Sequence, residues 1–326
     1  MKAIAFETFG GPEQLQFLDL PAPEPGPGEV RVRMAWASVN PADWKSRAGW
    51  LQILPIYKPT FPLVPGLDGA GIIEKLGPGV SGPPPGTRVF VRSHHSAGKW
   101  GTYAEFAVTT ADYVAEVPAG VSLADAATVP TAALAAWDGI VDTGGIQPGQ
   151  TVLVSGAAGA VGCFAIQFAK AAGARVAGTC SAGNIDYVLG LGADAAIDYR
   201  GDIAAGVRRF APEGVDLVYD AVSSGTLLNG PDLARPGGRY VHIQTLDPDE
   251  TLPDAAAAAK RDVAILPSTI KRDGVATRLP EIARLMSAGK VRPPVAEIYP
   301  LARAADAHRR LEAGGVRGKL LLKIGD

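Results

Sequence analysis

A chain of 326 residues that is 47% hydrophobic is long enough to bury two separate cores, so a two-domain globular protein is expected. Its formal net charge of −2, with no run of like charges, excludes a basic nucleic-acid-binding face and a charged tail. No stretch approaches the ~18 consecutive apolar residues of a membrane span. The strand-like start Met1-Lys2-Ala3-Ile4 also lacks a signal peptide's basic head and long apolar run, so a cytoplasmic protein is expected.

In chain order, the first third reads as short alternating strands at 2–6, 30–39, 69–76, 87–92 and 102–108, separated by Pro- and Gly-rich turns such as 21–28 and 77–86. From Ser122 the composition shifts to an alanine-rich helical stretch at 124–143, broken near Pro130. A β-branched, apolar run at 151–155 then reads as a buried strand. Residues 161–172 carry apolar side chains at helical spacing (Val161, Phe164, Ala165, Phe168, Ala172), and Gly173 stands where a helix C-terminal glycine belongs. A second strand follows at 174–179. Further strands are expected at 215–221, 238–244 and 263–266, with a helix over the alanine run 255–259. The last segment predicts a helix at 278–288, a strand at 295–299, a helix at 302–313 and a closing strand at 319–324. The fold class is therefore α/β. A β-rich domain spans 1–121 and is completed by 270–326, and a doubly wound parallel-sheet domain spans 122–269. The active site is expected in the cleft between them, at the carboxyl ends of the parallel strands.

The chemistry is most legible in the turn Gly156-Ala157-Ala158-Gly159-Ala160-Val161-Gly162, which joins the strand at 151–155 to its helix. A helix start presents unpaired N–H groups and positive dipole, which suit a pyrophosphate. Gly159 gives the phosphates close approach and Gly162 lets the helix pack on the strand. Alanine replaces the usual first glycine of the dinucleotide motif, at Ala157. In NAD-binding versions a carboxylate about twenty residues further on holds the ribose 2′-hydroxyl. Here the second strand runs into Gly178-Thr179-Cys180-Ser181-Ala182-Gly183-Asn184. Nothing there repels a 2′-phosphate, and Thr179, Ser181 and Asn184 offer hydrogen bonds to one, so NADPH is expected. No Arg or Lys lies in this turn; Arg200 or the adjacent Tyr199 is the alternative support. Cys163 and Cys180 form no C-x-x-C pair and read as small packing residues.

Several further motifs carry a family resemblance: Asn40-Pro41-x-Asp43-x-Lys45, Pro65-Gly66-x-Asp68-x-Ala70-Gly71, Gly101-Thr102-Tyr103-Ala104-Glu105, Leu191-Gly192-Ala193-Asp194 with Ile197-Asp198-Tyr199, and Gly237-Gly238-Arg239. With the glycine turn, they make the chain resemble the medium-chain dehydrogenase/reductases, in the zinc-independent quinone oxidoreductase (zeta-crystallin-like) branch. The resemblance runs nearly end to end. It implies a GroES-like catalytic domain beside a Rossmann domain, a homodimer, and NADPH-dependent reduction of quinones or α,β-unsaturated carbonyls. It further implies that Asn40 and Lys45 line the site near nicotinamide and substrate. Ala158, Gly159, Ala160 and Val161 would meet the pyrophosphate. Gly178, Ser181 and Tyr199 would meet the adenosine ribose. Ile243, Gln244, Thr245, Leu266, Pro267 and Ser268 would lie along the nicotinamide half.

No metal is expected. Asn40 stands where the zinc-dependent relatives place a cysteine ligand, the first domain has no cysteine, and His94 and His95, expected on a solvated loop, cannot complete a ligand set. Without a Lewis acid a conjugated acceptor is easier to reduce than a simple ketone, because its developing charge is delocalised. Asn40, Lys45 or a backbone N–H would hold the acceptor oxygen, and Lys45, Tyr103 or water would supply the proton. Each has a plainer reading: Asn40 as a turn residue, Lys45 as a surface lysine, and Trp44, Trp50, Tyr57 and Trp100 as packing rather than a floor for an aromatic substrate. Asp43, Asp68 and Glu105 read as turn and ion-pair residues. Two other functions fit the same pattern: a biosynthetic enoyl or enone reductase acting on a pathway intermediate, and a crystallin-like NADPH binder with negligible turnover.

Overall fold

The computed structural model describes residues 1–223, 225–271 and 273–325. The chain forms two compact units, Met1–Thr131 with Arg272–Asp326, and Ala132–Lys271.

The first unit opens with β1 (Lys2–Ala5), paired antiparallel with β2 (Gln16–Asp19). β3 (Glu29–Val39) is followed by α1 (Pro41–Arg47), β4 (Asp68–Leu76), β5 (Arg88–Arg92), β6 (Phe106–Thr110), β7 (Val114–Glu116) and α2 (Leu123–Ala127). Alternation along β3 turns Val30, Val32 and Met34 into a core shared with Ile73, Val89, Val91, Ala107 and Val114. Each such side chain contributes about 1.5–3 kcal/mol on burial. The strand expected at 102–108 begins only at Phe106. Residues 101–103 instead run along 64–66, with the Thr102 N–H donating to the Gly66 carbonyl and the Tyr103 N–H to that of Pro65, both at 3.0 Å. This approach is why Gly101 is glycine, since a Cβ there would lie 2.2 Å from the Gly66 oxygen. Two of the motifs noted above are thus one packed unit.

The second unit starts within α3 (Pro130–Trp137), the far side of the predicted break. It continues through β8 (Thr151–Ser155), α4 (Ala160–Ala171), β9 (Arg175–Cys180), α5 (Ile185–Gly190), β10 (Ala195–Asp198), α6 (Ile203–Phe210), β11 (Val215–Asp220), β12 (Ala234–Ile243), α7 (Ala255–Lys260) and β13 (Ala264–Ser268). Among the described residues its six strands pair in parallel, in the order β10-β9-β8-β11-β12-β13. The chain therefore builds outward from β8 in one direction and then, from β11, in the other. That reversal places a topological switch at the β8/β11 boundary, where ligands of such sheets bind. Leu153, Val218 and Ala177 of these strands share a core with Val207 and Phe210 of α6.

The remaining elements, α8 (Gly274–Ser287), β14 (Val295–Pro300), α9 (Ala304–Glu312) and β15 (Lys319–Lys323), belong to the first unit. Among the described residues its main sheet runs β14-β15-β3-β4-β5-β7, with β6 on β3. β15 joins antiparallel to β3, with Leu320 opposite Val39.

Candidate active site and cofactor cradle

β8 hands over to α4 through a turn in which Gly156 takes φ +67°. Gly159 is the N-cap of the 12-residue α4, in extended conformation and with no side-chain cap, so no side chain answers the first N–H groups. A Cβ at Gly159 would meet nothing nearer than the Gly156 oxygen, at 3.3 Å. At Gly162 it would lie 2.2 Å from that same oxygen and 2.8 Å from Ala157 Cα, so this glycine packs the helix onto the turn. Ala160 and Val161 stand half-buried at the helix start, and Ala158 is buried behind them. A bare helix end with a side-chain-free approach fits a diphosphate. Cys163 is buried, its thiol 3.3 Å from the Tyr187 hydroxyl, and burial pushes it up to about 12, which makes it inert.

At the end of β9, Asp198 pairs with Cys180, and the Tyr199 N–H donates to the Cys180 carbonyl at 3.0 Å. Tyr199, 50% exposed, therefore emerges beside Ser181 and the turn holding Asn184. Gly178 lies beneath, where a Cβ would press to 2.6 Å from that of Ala157, so its part is to let β9 pass under the turn. Across the switch, Ile243 ends β12 opposite Ser268 of β13. Gln244 and Pro267 are exposed, and Thr245 and Leu266 half-buried. The expectation for Ser268 needs correction: it is buried and its hydroxyl donates to Asp138 at 2.9 Å, so only its main chain is available to a ligand.

In the first unit, Asn40 is the N-cap of α1, with Pro41 at the first helical position. The β15–β3 register brings Lys319 beside it, and the Lys319 ammonium donates to Asn40 Oδ1. The Asn40 amide nitrogen donates to Asp68 Oδ1 at 2.7 Å and its main-chain N–H to Asp43 Oδ2 at 2.8 Å. Asp43 also accepts the Leu67 N–H at 2.9 Å, and Asp68 the Thr131 N–H at 2.6 Å and the Ser38 hydroxyl. Tyr103 lies 3.3 Å from Asp43 Oδ2 and 3.2 Å from His308 Nε2. Burial, then the charge of Asp68, raises the Asp43 carboxyl to about 7. Burial lowers the Lys319 ammonium against the pull of Asp68 and Asp43, and holds His308 near 3, with Arg47 adding to the effect. His308 is therefore neutral. With its proton on Nε2 it donates to the Tyr103 oxygen, leaving the Tyr103 hydroxyl to donate to Asp43.

These positions change the expectations for Tyr103, Asn40 and the two histidines. Tyr103 is fully buried, and burial raises its hydroxyl well above the ordinary range, which speaks against the expected role of proton donor. Both ends of the Asn40 amide are engaged by protein, which makes its first role to fix the start of α1. One turn on, Lys45 is buried with its ammonium 5.6 Å and 5.2 Å from the ring centres of Trp44 and Trp50, themselves edge to face. Trp100 anchors a loop by donating to the Pro62 carbonyl. The solvated-loop expectation for the two histidines is overturned. His94 stacks on Tyr113 with centres 4.2 Å apart, and His95 is fully buried, lowered by that burial to about 4. As Nδ1 of His95 faces the Lys99 carbonyl, Nε2 accepts from Ser46 at 2.8 Å, and Ser46 in turn accepts from Tyr57 at 2.9 Å. Lys319 and His308 join the site with no motif in the sequence to mark them, brought in by the register of β15 on β3 and by α9.

Among the described residues no three His, Cys, Asp or Glu side chains cluster as metal ligands, and the first unit has no cysteine. An ammonium, rather than an open position, faces the Asn40 oxygen. This donor set does not fit a tetrahedral zinc.

Residues 26–119 match the family described as alcohol dehydrogenase GroES-like domain, and residues 191–322 the one described as zinc-binding dehydrogenase. The chloroplast envelope quinone oxidoreductase homolog of Arabidopsis thaliana is 32% identical, over 99% of this chain and 98% of its own. The chain belongs to the medium-chain dehydrogenase/reductases, in the quinone oxidoreductase branch. It is an oxidoreductase of an NAD(P)-binding family. Solved structures of such dehydrogenases superpose end to end. Escherichia coli quinone oxidoreductase complexed with NADPH does so with TM-score 0.88 and 28% identity, over 99% of this chain and 100% of that one. An NAD-dependent alcohol dehydrogenase does so with TM-score 0.90 and 34% identity, over 100% of both.

A titration checks the buried carboxyl. Asp43 moves from 3.8 to about 7 on folding, so the stability it lends is whole below pH ~4 and is lost as pH rises through 7. The difference in unfolding free energy between Asp43→Asn and wild type is expected to drift in the variant's favour across that window in urea denaturation. A flat difference would place Asp43 in an ordinary environment.

Proposed function

We propose that this dehydrogenase is an NADPH-dependent, zinc-independent reductase of quinones or α,β-unsaturated carbonyls. The observation that carries the reading is the uncapped start of α4 behind Gly159, next to a β9 end and turn, 178–184, that carry no carboxylate of their own. Gly159, Ala160 and Val161 hold the diphosphate, and Ser181, Asn184 and Tyr199 the adenosine ribose. Ile243, Gln244, Thr245 and the main chain of 266–268 hold the nicotinamide half. Bound there, the reduced nicotinamide supplies a hydride.

Zinc independence is supported by the donor chemistry around Asn40, where an ammonium takes the place a cation would need. A conjugated acceptor suits such a site, because its charge is spread onto an oxygen that one cation or a few N–H groups can hold. Lys45, kept between Trp44 and Trp50, is the residue for that oxygen and for its proton. Asn40, Asp43 and Tyr103 serve it indirectly by fixing α1.

Chelator-treated enzyme is expected to oxidise NADPH steadily with 1,4-quinones and simple enones. Tight NADPH binding without turnover across such a panel would make the protein a binder instead, and loss of activity on chelation would restore a metal.

A further inference from the structure

We infer that Arg200 is the residue that reads the 2′-phosphate, a task the β9 turn leaves without a cation. The inference rests on the NADPH reading above and names the group that would enforce it. Residues 181–184 contain no Lys or Arg, so hydrogen bonds alone would face a dianion there. The sheet register supplies what the turn lacks. Asp198 lies opposite Cys180 and the Tyr199 N–H bonds to the Cys180 carbonyl, so 199–200 leave β10 beside Ser181. The Arg200 guanidinium lies over the Tyr199 ring, 5.4 Å from its centre. Its main-chain N–H donates to Asp198 Oδ1 at 3.1 Å, which fixes the backbone as it leaves β10.

Stacking on a half-exposed tyrosine orients a planar fork while leaving its N–H edges to a ligand. The facing turn keeps the way clear: a Cβ at Gly183 would meet nothing within 4 Å. An exposed arginine is commonly no more than solvated surface. Here, however, it follows the edge strand β10 where that strand runs beside the end of β9 and its 181–184 turn, whose hydroxyl and amide groups lack charge.

The test is equilibrium binding of NADPH and NADH, by quenching of protein fluorescence, to wild type, Arg200→Ala and Arg200→Lys. 2′,5′-ADP and 5′-AMP serve as competitors. Arg200→Ala is expected to weaken NADPH and 2′,5′-ADP by about 10- to 100-fold, with NADH and 5′-AMP changed by no more than about twofold, and Arg200→Lys to fall between. If wild type prefers NADPH and Arg200→Ala keeps that preference, or weakens both cofactors alike, the assignment to Arg200 is wrong while the cofactor reading stands. If wild type binds NADPH and NADH equally, both fall.

Discussion

Gly159→Asp is expected to weaken NADPH binding by at least about 100-fold while leaving the protein folded with little change in stability. Gly159 has φ −77° and ψ 169°, extended backbone that any residue adopts, and a Cβ there would sit 3.3 Å from the Gly156 oxygen, a tight contact relieved by a shift of a few tenths of an ångström. An aspartate at a helix N-cap accepts from the next N–H groups and complements the dipole, worth about 0.5–1 kcal/mol. The same carboxylate would occupy and repel the place of the diphosphate. A large loss by titration beside an unmoved thermal unfolding separates a lost ligand site from a lost fold. Unchanged affinity would reject the position assigned to the diphosphate.

Lys319→Met is expected to cost about 3–5 kcal/mol of stability, because it strips the counter-ion from a buried pair of carboxylates. Lys319 is 2% exposed, its ammonium bonded to Asn40 and attracted by Asp68 and Asp43. Without it the Asp43 carboxyl, already raised to about 7, must rise further, so the penalty grows with pH and shrinks on acidification. Urea denaturation at two pH values reads both the size and the slope. A loss under about 1 kcal/mol would mean that the carboxylates are held apart by other means. Since the same ammonium fixes Asn40 and hence the start of α1, activity is expected to fall along with stability.

How much of this could be seen in the bare chain depended on whether the signal was local. The parallel-sheet unit was legible because buried strands read as apolar runs and because Gly159 and Gly162 sit at a strand–helix junction. Gly173, with φ +83° just past α4, was equally plain. α1 was not: seven residues show no period, and Asn40-Pro41 reads as a turn until Asp43 is seen to reach back to the Asn40 N–H. Nor was the buried network, whose members Asn40, Asp68, Tyr103, His308 and Lys319 are far apart in sequence. Lys319 meets Asn40 only through the register of β15 on β3, which no spacing discloses. His95 misled for the opposite reason. Its polar neighbours suggest solvent, yet Ser46 and the Lys99 carbonyl satisfy it inside the unit.

The proposed reaction passes a hydride from a reduced pyridine nucleotide to a conjugated carbon without a metal. The most direct measurement uses NADPH deuterated at the transferable C4 position, a simple enone, and a chelator, with the product examined by mass spectrometry and NMR. One deuterium is expected on the β-carbon of the saturated product and a solvent proton on the α-carbon. A saturated product without that label, or no reduction of any enone or quinone by NADPH, would contradict it.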